Sequence, residues 1–189
     1  TISDTGSLSS ETVSIDYSQG LNEVLSCWQA FTGSAYNIHC ASFSLDDFII
    51  TGGIIIYEDP LNSQKNPSVK ATEHSTYLVS WEDERQGNDS DLFIQEIRSS
   101  GQEFFENGGS VLCNAGFNQF NSNFVSIDVA SNNEVYLAYW EDDRSSGKEF
   151  VTNIFAQKIS ICKLGDINDD ATWNVLDIVV LANCVLSAN

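Results

Sequence analysis

Tryptophan returns at a near-constant interval in this chain: Trp28, Trp81 and Trp140 lie 53 and 59 residues apart. Each stands in a similar context. The first copy runs Val13-Ser-Ile-Asp16, Glu23-Val-Leu-Ser-Cys-Trp28 and Tyr36-Asn-Ile-His-Cys40. The second runs Ser68-Val-Lys-Ala71, Thr76-Tyr-Leu-Val-Ser-Trp81-Glu-Asp-Glu-Arg85 and Asp91-Leu-Phe-Ile-Gln95. The third runs Val125-Ser-Ile-Asp128, Glu134-Val-Tyr-Leu-Ala-Tyr-Trp140-Glu-Asp-Asp-Arg144 and Asn153-Ile-Phe-Ala-Gln157. Short apolar runs separated by Asn, Gly, Ser and Asp read as strands and turns. A fourth run follows in the first two copies, Gly53-Ile-Ile-Ile-Tyr57 and Ser110-Val-Leu-Cys113. A unit of about 50 residues with four strands cannot bury its faces alone and must stack on its neighbours.

Trp-x-Asp-x-Arg followed by Asp-Ile-x-x-Gln resembles the repeats of secreted bacterial β-propellers, over residues 11–161. The resemblance implies a mainly β fold of three four-stranded propeller-like blades, at about residues 11–60, 66–118 and 122–161. Asp83 with Arg85, and Asp142 with Arg144, are expected to pin the corner of a hairpin while Trp81 and Trp140 fill space between blades. The first copy has Trp28-Gln-Ala-Phe31 instead and must be held differently. Three blades do not close a ring, and the third lacks its fourth strand. The sheet is therefore expected to stay open or be completed by a partner strand. The segment Thr1 to Ser10 is a candidate donor, within the chain or into a neighbouring copy. Donation between copies would build a filament or a ring. A fragment of a longer propeller is the alternative.

Near the end, Asp166, Asn168, Asp170, Asn174 and Asp177 place oxygen side chains at positions 1, 3, 5, 9 and 12 of a loop. Position 7 is Thr172, whose carbonyl would complete the set. This is the ligand spacing of an EF-hand-type loop for Ca²⁺. An apolar run from Val175 to Leu186 follows and reads as a helix. Residues 162–189 resemble one loop-helix repeat of a dockerin, the calcium-dependent docking module of secreted bacterial proteins. Ala171 stands where such loops usually carry Gly, and one repeat is present where the family normally has two. The resemblance implies a cohesin-like protein as partner, met by Trp173, Val175 and Leu176. Val175 and Leu176 replace small hydroxyl residues there, so calcium binding carries over better than cohesin binding.

With 27 acidic against 8 basic residues, the net charge is −19. No basic patch exists for nucleic acid, and no apolar run is long enough for membrane insertion. The chain is expected to be secreted, extracellular or at the cell surface. Five cysteines lack any CxxC spacing. Cys27 with Cys40, on one hairpin, and Cys162 with Cys184, bracketing the loop, are the disulfide candidates, which leaves Cys113. Asn88-Asp-Ser90 is a glycosylation sequon by pattern. Phe104, Phe105, Phe117 and Phe120 lie in an Asn-rich stretch where they could stack on sugars or pack a loop.

Two histidines, His39 and His74, offer no nucleophile-base constellation. Carboxylate pairs are plentiful, with Glu82, Asp83, Glu141 and Asp142 the first candidates. The resulting expectation is a calcium-binding, non-catalytic structural or adhesion protein that self-assembles as a homo-oligomer or filament. The alternative is an accessory or truncated module of polysaccharide degradation, attached by a dockerin-cohesin contact.

Overall fold

The computed structural model describes residues 8–47, 49–87, 89–130, 133–144, 152–162 and 175–187. They fall in two compact units: residues 1–123 with 139–155, and residues 124–138 with 156–189. The first sheet is the antiparallel meander β1 (Ser9–Ser18), β2 (Glu23–Phe31), β3 (Tyr36–Ser44) and β4 (Ile50–Tyr57). The second repeats it with β5 (Gln64–Ala71), β6 (Tyr77–Asp83), β7 (Asp91–Ile97) and β8 (Ser110–Cys113). The third comprises β9 (Gln119–Ala130), β10 (Asn133–Asp142) and β11 (Asn153–Cys162), three strands among the described residues, and draws on both units. One helix is present among the described residues, α1 (Val175–Ser187), in the second unit.

The first two sheets stack. Leu25, Cys27, Ile38 and Cys40 form the forward face of the first; Val79, Trp81 and Phe93 belong to the back face of the second, and all join one buried cluster. Both faces of β6 are covered, so its seven residues are all buried and show no apolar-polar alternation. The edge strand β5 would leave N–H groups open toward β1. Ser14 Oγ accepts from Val69 N–H at 3.0 Å, and Asp16 Oδ2 accepts from Ala71 N–H at 2.8 Å. Lys70 adds an ion pair to Asp16 at 2.9 Å. Burial pushes the Asp16 carboxyl up, but the Ala71 N–H and Lys70 outweigh it and hold it below the usual range. Tyr77 closes the same junction by donating its hydroxyl to the Glu23 carbonyl at 3.1 Å.

Cys27 and Cys40 are direct cross-strand partners and are joined by a disulfide. Where the first sheet has it, the others have the Trp-Asp-Arg corner. Trp81 Nε1 donates to Asp83 Oδ2 at 2.8 Å, and Arg85 Nη2 donates to the same oxygen at 2.5 Å. The Arg85 guanidinium lies between the Tyr57 and Phe93 rings, at 3.7 and 4.1 Å from their centroids. The next corner repeats this with Trp140, Asp142 and Arg144. There Arg144 covers Phe155 and donates to Cys113 Sγ at 2.9 Å. Each arginine thus reaches the end of the preceding sheet's last strand.

Two expectations need correction. Ser9 and Ser10, at the end of the expected donor segment, instead open β1 and pair at home with Phe31 and Ala30, because β2 extends to Phe31; residues 1–7 of that segment lie outside the described residues. The shared Val-Ser-Ile-Asp is also not one structural position. A left-handed residue marks each inner strand, Thr12 (φ 48°), Asn66 (φ 49°) and Asn121 (φ 55°). Val13 lies one residue past its marker and Val125 four, since the third hairpin is the longer one, with strands of 12 and 10 residues.

Candidate functional site

The three left-handed residues lie near the starts of the inner strands β1, β5 and β9, and the ladder register shifts at Thr12 and at Asn66. In the second sheet the Asn66 N–H goes to Gln29 Oε1 of the first, at 3.0 Å. In the third the Asn121 N–H goes to Glu82 Oε1 of the second, again at 3.0 Å. Gln29, Glu82 and Glu141 each follow the repeat's Trp. The asparagine side chains work within their own sheets: Asn66 bonds Glu82, and Asn121 Nδ2 donates to Glu141 Oε1 at 3.1 Å. A polar ladder therefore runs Gln29, Asn66, Glu82, Asn121, Glu141, all within the first unit.

Its members differ in charge environment. Glu82 is buried, and desolvation pushes its carboxyl above the ordinary glutamate value despite the bonds from Asn121 and Asn66 and the nearby Lys65. Glu141 is half-exposed and also accepts from Thr152 Oγ1 at 3.4 Å. One asparagine so holds two carboxyl groups, one disposed to keep its proton and one open to water. A pair of carboxyls in unlike surroundings is what general acid-base work on a glycosidic bond uses. Lys65, paired with Glu84 at 2.6 Å, stands near Glu82, and at the Gln29 end of the ladder Glu11 accepts from Gln29 Nε2 at 3.5 Å and from Tyr36 Oη at 3.3 Å.

Of the four acidic candidates from the sequence, Glu82 and Glu141 come together here. Asp83 and Asp142 are buried in the Arg corners and belong to the architecture. Sequence reasoning missed Asn66 and Asn121. Their tolerance of left-handed backbone was the available signal, but nothing local says where the freed N–H goes. His39 is buried in β3 beside Trp28, and His74 sits in the turn before β6. Among the four phenylalanines Phe117 alone is largely exposed, at 53%. Arg98 lies over Phe104.

A separate pocket of about 180 Å³ is lined by Gln86, Gly87, Asp89, Asp91, Asn114 and Gly116. It is smaller than an ordinary small-molecule site. Burial, then Asp89 and Asp83, push the Asp91 carboxyl up.

The expected calcium ligands Asp166, Asn168, Asp170, Thr172 and Asn174 lie outside the described residues, as do Trp173 and the sequon's Asn88. Asp177, Cys162 and Cys184 lie in α1 and β11, with their side chains outside the description. Val175 and Leu176 open α1 and are exposed. Among the described residues no group of three or more His, Cys, Asp or Glu is placed to hold a metal, and no helix is long and apolar enough to cross a membrane.

No family model and no curated protein matches the sequence. Solved structures do. The chain is similar to the GH93 α-L-arabinofuranosidase of Fusarium graminearum in complex with arabinobiose, with a TM-score of 0.50 at 8% identity, over 78% of this chain and 45% of that one. It is similar to Arb93A, an α-L-arabinofuranosidase from the same organism bound to an iminosugar inhibitor, with a TM-score of 0.51 at 8% identity, over 82% of this chain and 50% of that one. The chain thus spans about half the length of the structures it matches. At this identity the likeness speaks to the fold, which is β-propeller-like. It also overturns the expectation that the chain is not an enzyme: that rested on finding no catalytic constellation, whereas the structures sharing this fold are glycoside hydrolases.

Proposed function

We propose that this chain is part of a carbohydrate-processing β-propeller and that Glu82 and Glu141 are its acid and base. The observation that carries the reading is the Asn121 bridge between a buried carboxyl with a raised pKa and a half-exposed one. Glu82, keeping its proton, would give it to the departing glycosidic oxygen as the bond to the anomeric carbon breaks. Glu141 would take a proton from the attacking water or attack the anomeric carbon itself. The fold neighbours make arabinosides the first substrates to try. Turnover of an aryl α-L-arabinofuranoside, arabinobiose and a broad glycan panel tests this in wild type, Glu82→Gln and Glu141→Gln. Each variant should lose on the order of 10²–10⁴-fold in kcat. No turnover of any glycan by wild type, or full activity in Glu82→Gln, would overturn it.

The tail reads as the attachment device of a secreted protein. Asp166, Asn168, Asp170, Asn174 and Asp177, with the Thr172 carbonyl, form an all-oxygen donor set suited to Ca²⁺. A helix beginning at Val175, directly after the loop, fits this reading. The ion would neutralise clustered carboxylates that otherwise repel. Trp173, Val175 and Leu176 are the residues a cohesin-like partner would meet, and an extracellular polysaccharide is the other candidate partner.

A further inference from the structure

The pocket at the end of the second sheet contains a carboxyl that the fold leaves unanswered. Asp91 opens β7 and is 7% exposed. Among the described residues its carboxyl takes part in no hydrogen bond and no ion pair, and its charged neighbours are the carboxyls of Asp89 and Asp83. Asp83, its cross-strand partner, is the contrast, because Trp81 and Arg85 both donate to it. A buried acceptor without a donor is costly to keep. Asp91 lines the pocket, so a molecule entering there can supply the donor.

The walls are held in place by the protein itself. The connection between β6 and β7 supplies Gln86, Gly87 and Asp89, and the segment after β8 supplies Asn114 and Gly116, all within the first unit. Ser90 ties one wall to the other: its N–H donates to Asn118 Oδ1 at 3.1 Å, and its carbonyl accepts from the Gln119 N–H at 2.8 Å. Gln119 is fully buried, and its side chain donates to the carbonyls of Ala115 and Phe117 at 2.9 and 2.6 Å. Phe117 directly follows the lining Gly116 and keeps its side chain in solvent, on a left-handed backbone (φ 71°) that a bulky residue seldom adopts. A site fixed in this way loses little entropy on binding.

We propose that this pocket binds one sugar unit of a neutral glycan. Hydroxyls of the sugar donate to Asp91 and Asp89, the Asn114 and Gln86 amides donate to and accept from the same ring, and Phe117 offers an aromatic face to its C–H surface. Carboxyls and amides together suit a ligand whose groups are donors and acceptors at once, as hydroxyls are. A metal ion fits less well. It needs about six to eight oxygens in a close cage. No group of three or more His, Cys, Asp or Glu is placed to hold one among the described residues, and a volume of about 180 Å³ is room for a ring. The two carboxyls and the net charge of −19 repel acidic sugars. The pocket shares no residue with the ladder, so it holds glycan whether or not Glu82 and Glu141 cleave it.

Amide NMR shifts of the isotope-labelled full chain test this. The probes are methyl α-L-arabinofuranoside, methyl β-D-galactopyranoside, methyl α-D-mannopyranoside, sodium galacturonate and calcium chloride. At least one neutral glycoside should move the amides of Gly87, Asp91, Asn114 and Gly116 saturably, with a Kd on the order of 1 mM. Galacturonate should not. Asp91→Asn, Asn114→Ala and Phe117→Ala should each weaken that binding about tenfold, and Glu82→Gln should leave it unchanged. Asn114 and Phe117 are exposed, so their variants should keep the wild-type spectrum elsewhere and separate lost contacts from lost fold. The proposal is overturned if no neutral glycoside moves these amides, or if the shifts survive all three pocket substitutions. It is overturned equally if galacturonate binds better than the neutral sugars, or if calcium moves the same amides and the glycosides do not.

Discussion

Gln29 accepts a hydrogen bond from the Asn66 main chain at 3.0 Å, tying the first sheet to the second. One sheet further on, Glu82 accepts the corresponding bond from Asn121 at the same distance. An amide and a carboxyl thus serve equally as acceptor, and Glu82→Gln is a substitution the fold already contains one repeat earlier. It removes a titrating group while keeping the tie.

That makes the pH dependence of Glu82 measurable. Desolvation raises its folded pKa above the unfolded one, so the native state keeps a proton that the unfolded chain releases. The stability this confers is fully present below the ordinary glutamate value and is lost as pH rises through the raised one. Urea midpoints of wild type should therefore fall across that window relative to those of Glu82→Gln. Parallel curves for the two proteins would mean that Glu82 titrates normally.

The Arg corners should be worth more than the surface ion pairs. Asp83 is buried beneath Arg85 and Trp81, so Asp83→Ala strands a guanidinium and an indole N–H and should cost about 3 kcal/mol in urea unfolding. Lys65→Ala breaks a pair whose side chains are 35% and 38% exposed and should cost under about 1 kcal/mol. Similar losses for both would contradict the architectural role of the corner.

The disulfide stands in for that corner in the first sheet. Cys27 and Cys40 are 13 residues apart, and closing so short a loop contributes about 3 kcal/mol by chain entropy. Both are fully buried in the junction with the second sheet. Reductant should therefore act slowly on the native protein, and the Cys27→Ala, Cys40→Ala double variant should melt well below wild type. Rapid labelling of both thiols after brief native reduction would show that the junction opens.

Calcium should act on the tail alone. Asp166→Ala should abolish a calorimetric Ca²⁺ signal and the Ca²⁺-dependent part of the helical circular dichroism, while the main thermal transition stays within about 2 °C of wild type. A wild-type chain whose spectrum and melting ignore Ca²⁺ would remove the dockerin-like reading.

Much of the strand pattern was readable because the Trp interval and the turn residues agree. Even the four-residue β8, Ser110–Cys113, coincides with its apolar run. The hairpin placement that suggested Cys27 with Cys40 matches the pair the structure joins. The ladder was not readable. Its bonds link residues 37 and 39 apart in sequence, and its third marker, Thr12, is a β-branched residue that rarely adopts left-handed backbone. Val-Ser-Ile-Asp misled for the opposite reason: four matching residues outweighed a difference in hairpin length that only the bulges reveal. The proposed pairing of Glu82 with Glu141 was not readable either, because the two are joined only through Asn121, 39 and 20 residues away from them.

The left-handed turns at Asn66 and Asn121 each address the sheet directly before them. A gene encoding such a unit can be copied in tandem, and every new copy arrives already able to recognise its predecessor. The number of repeats in a descendant is then set by recombination, while the residues at each seam need not change.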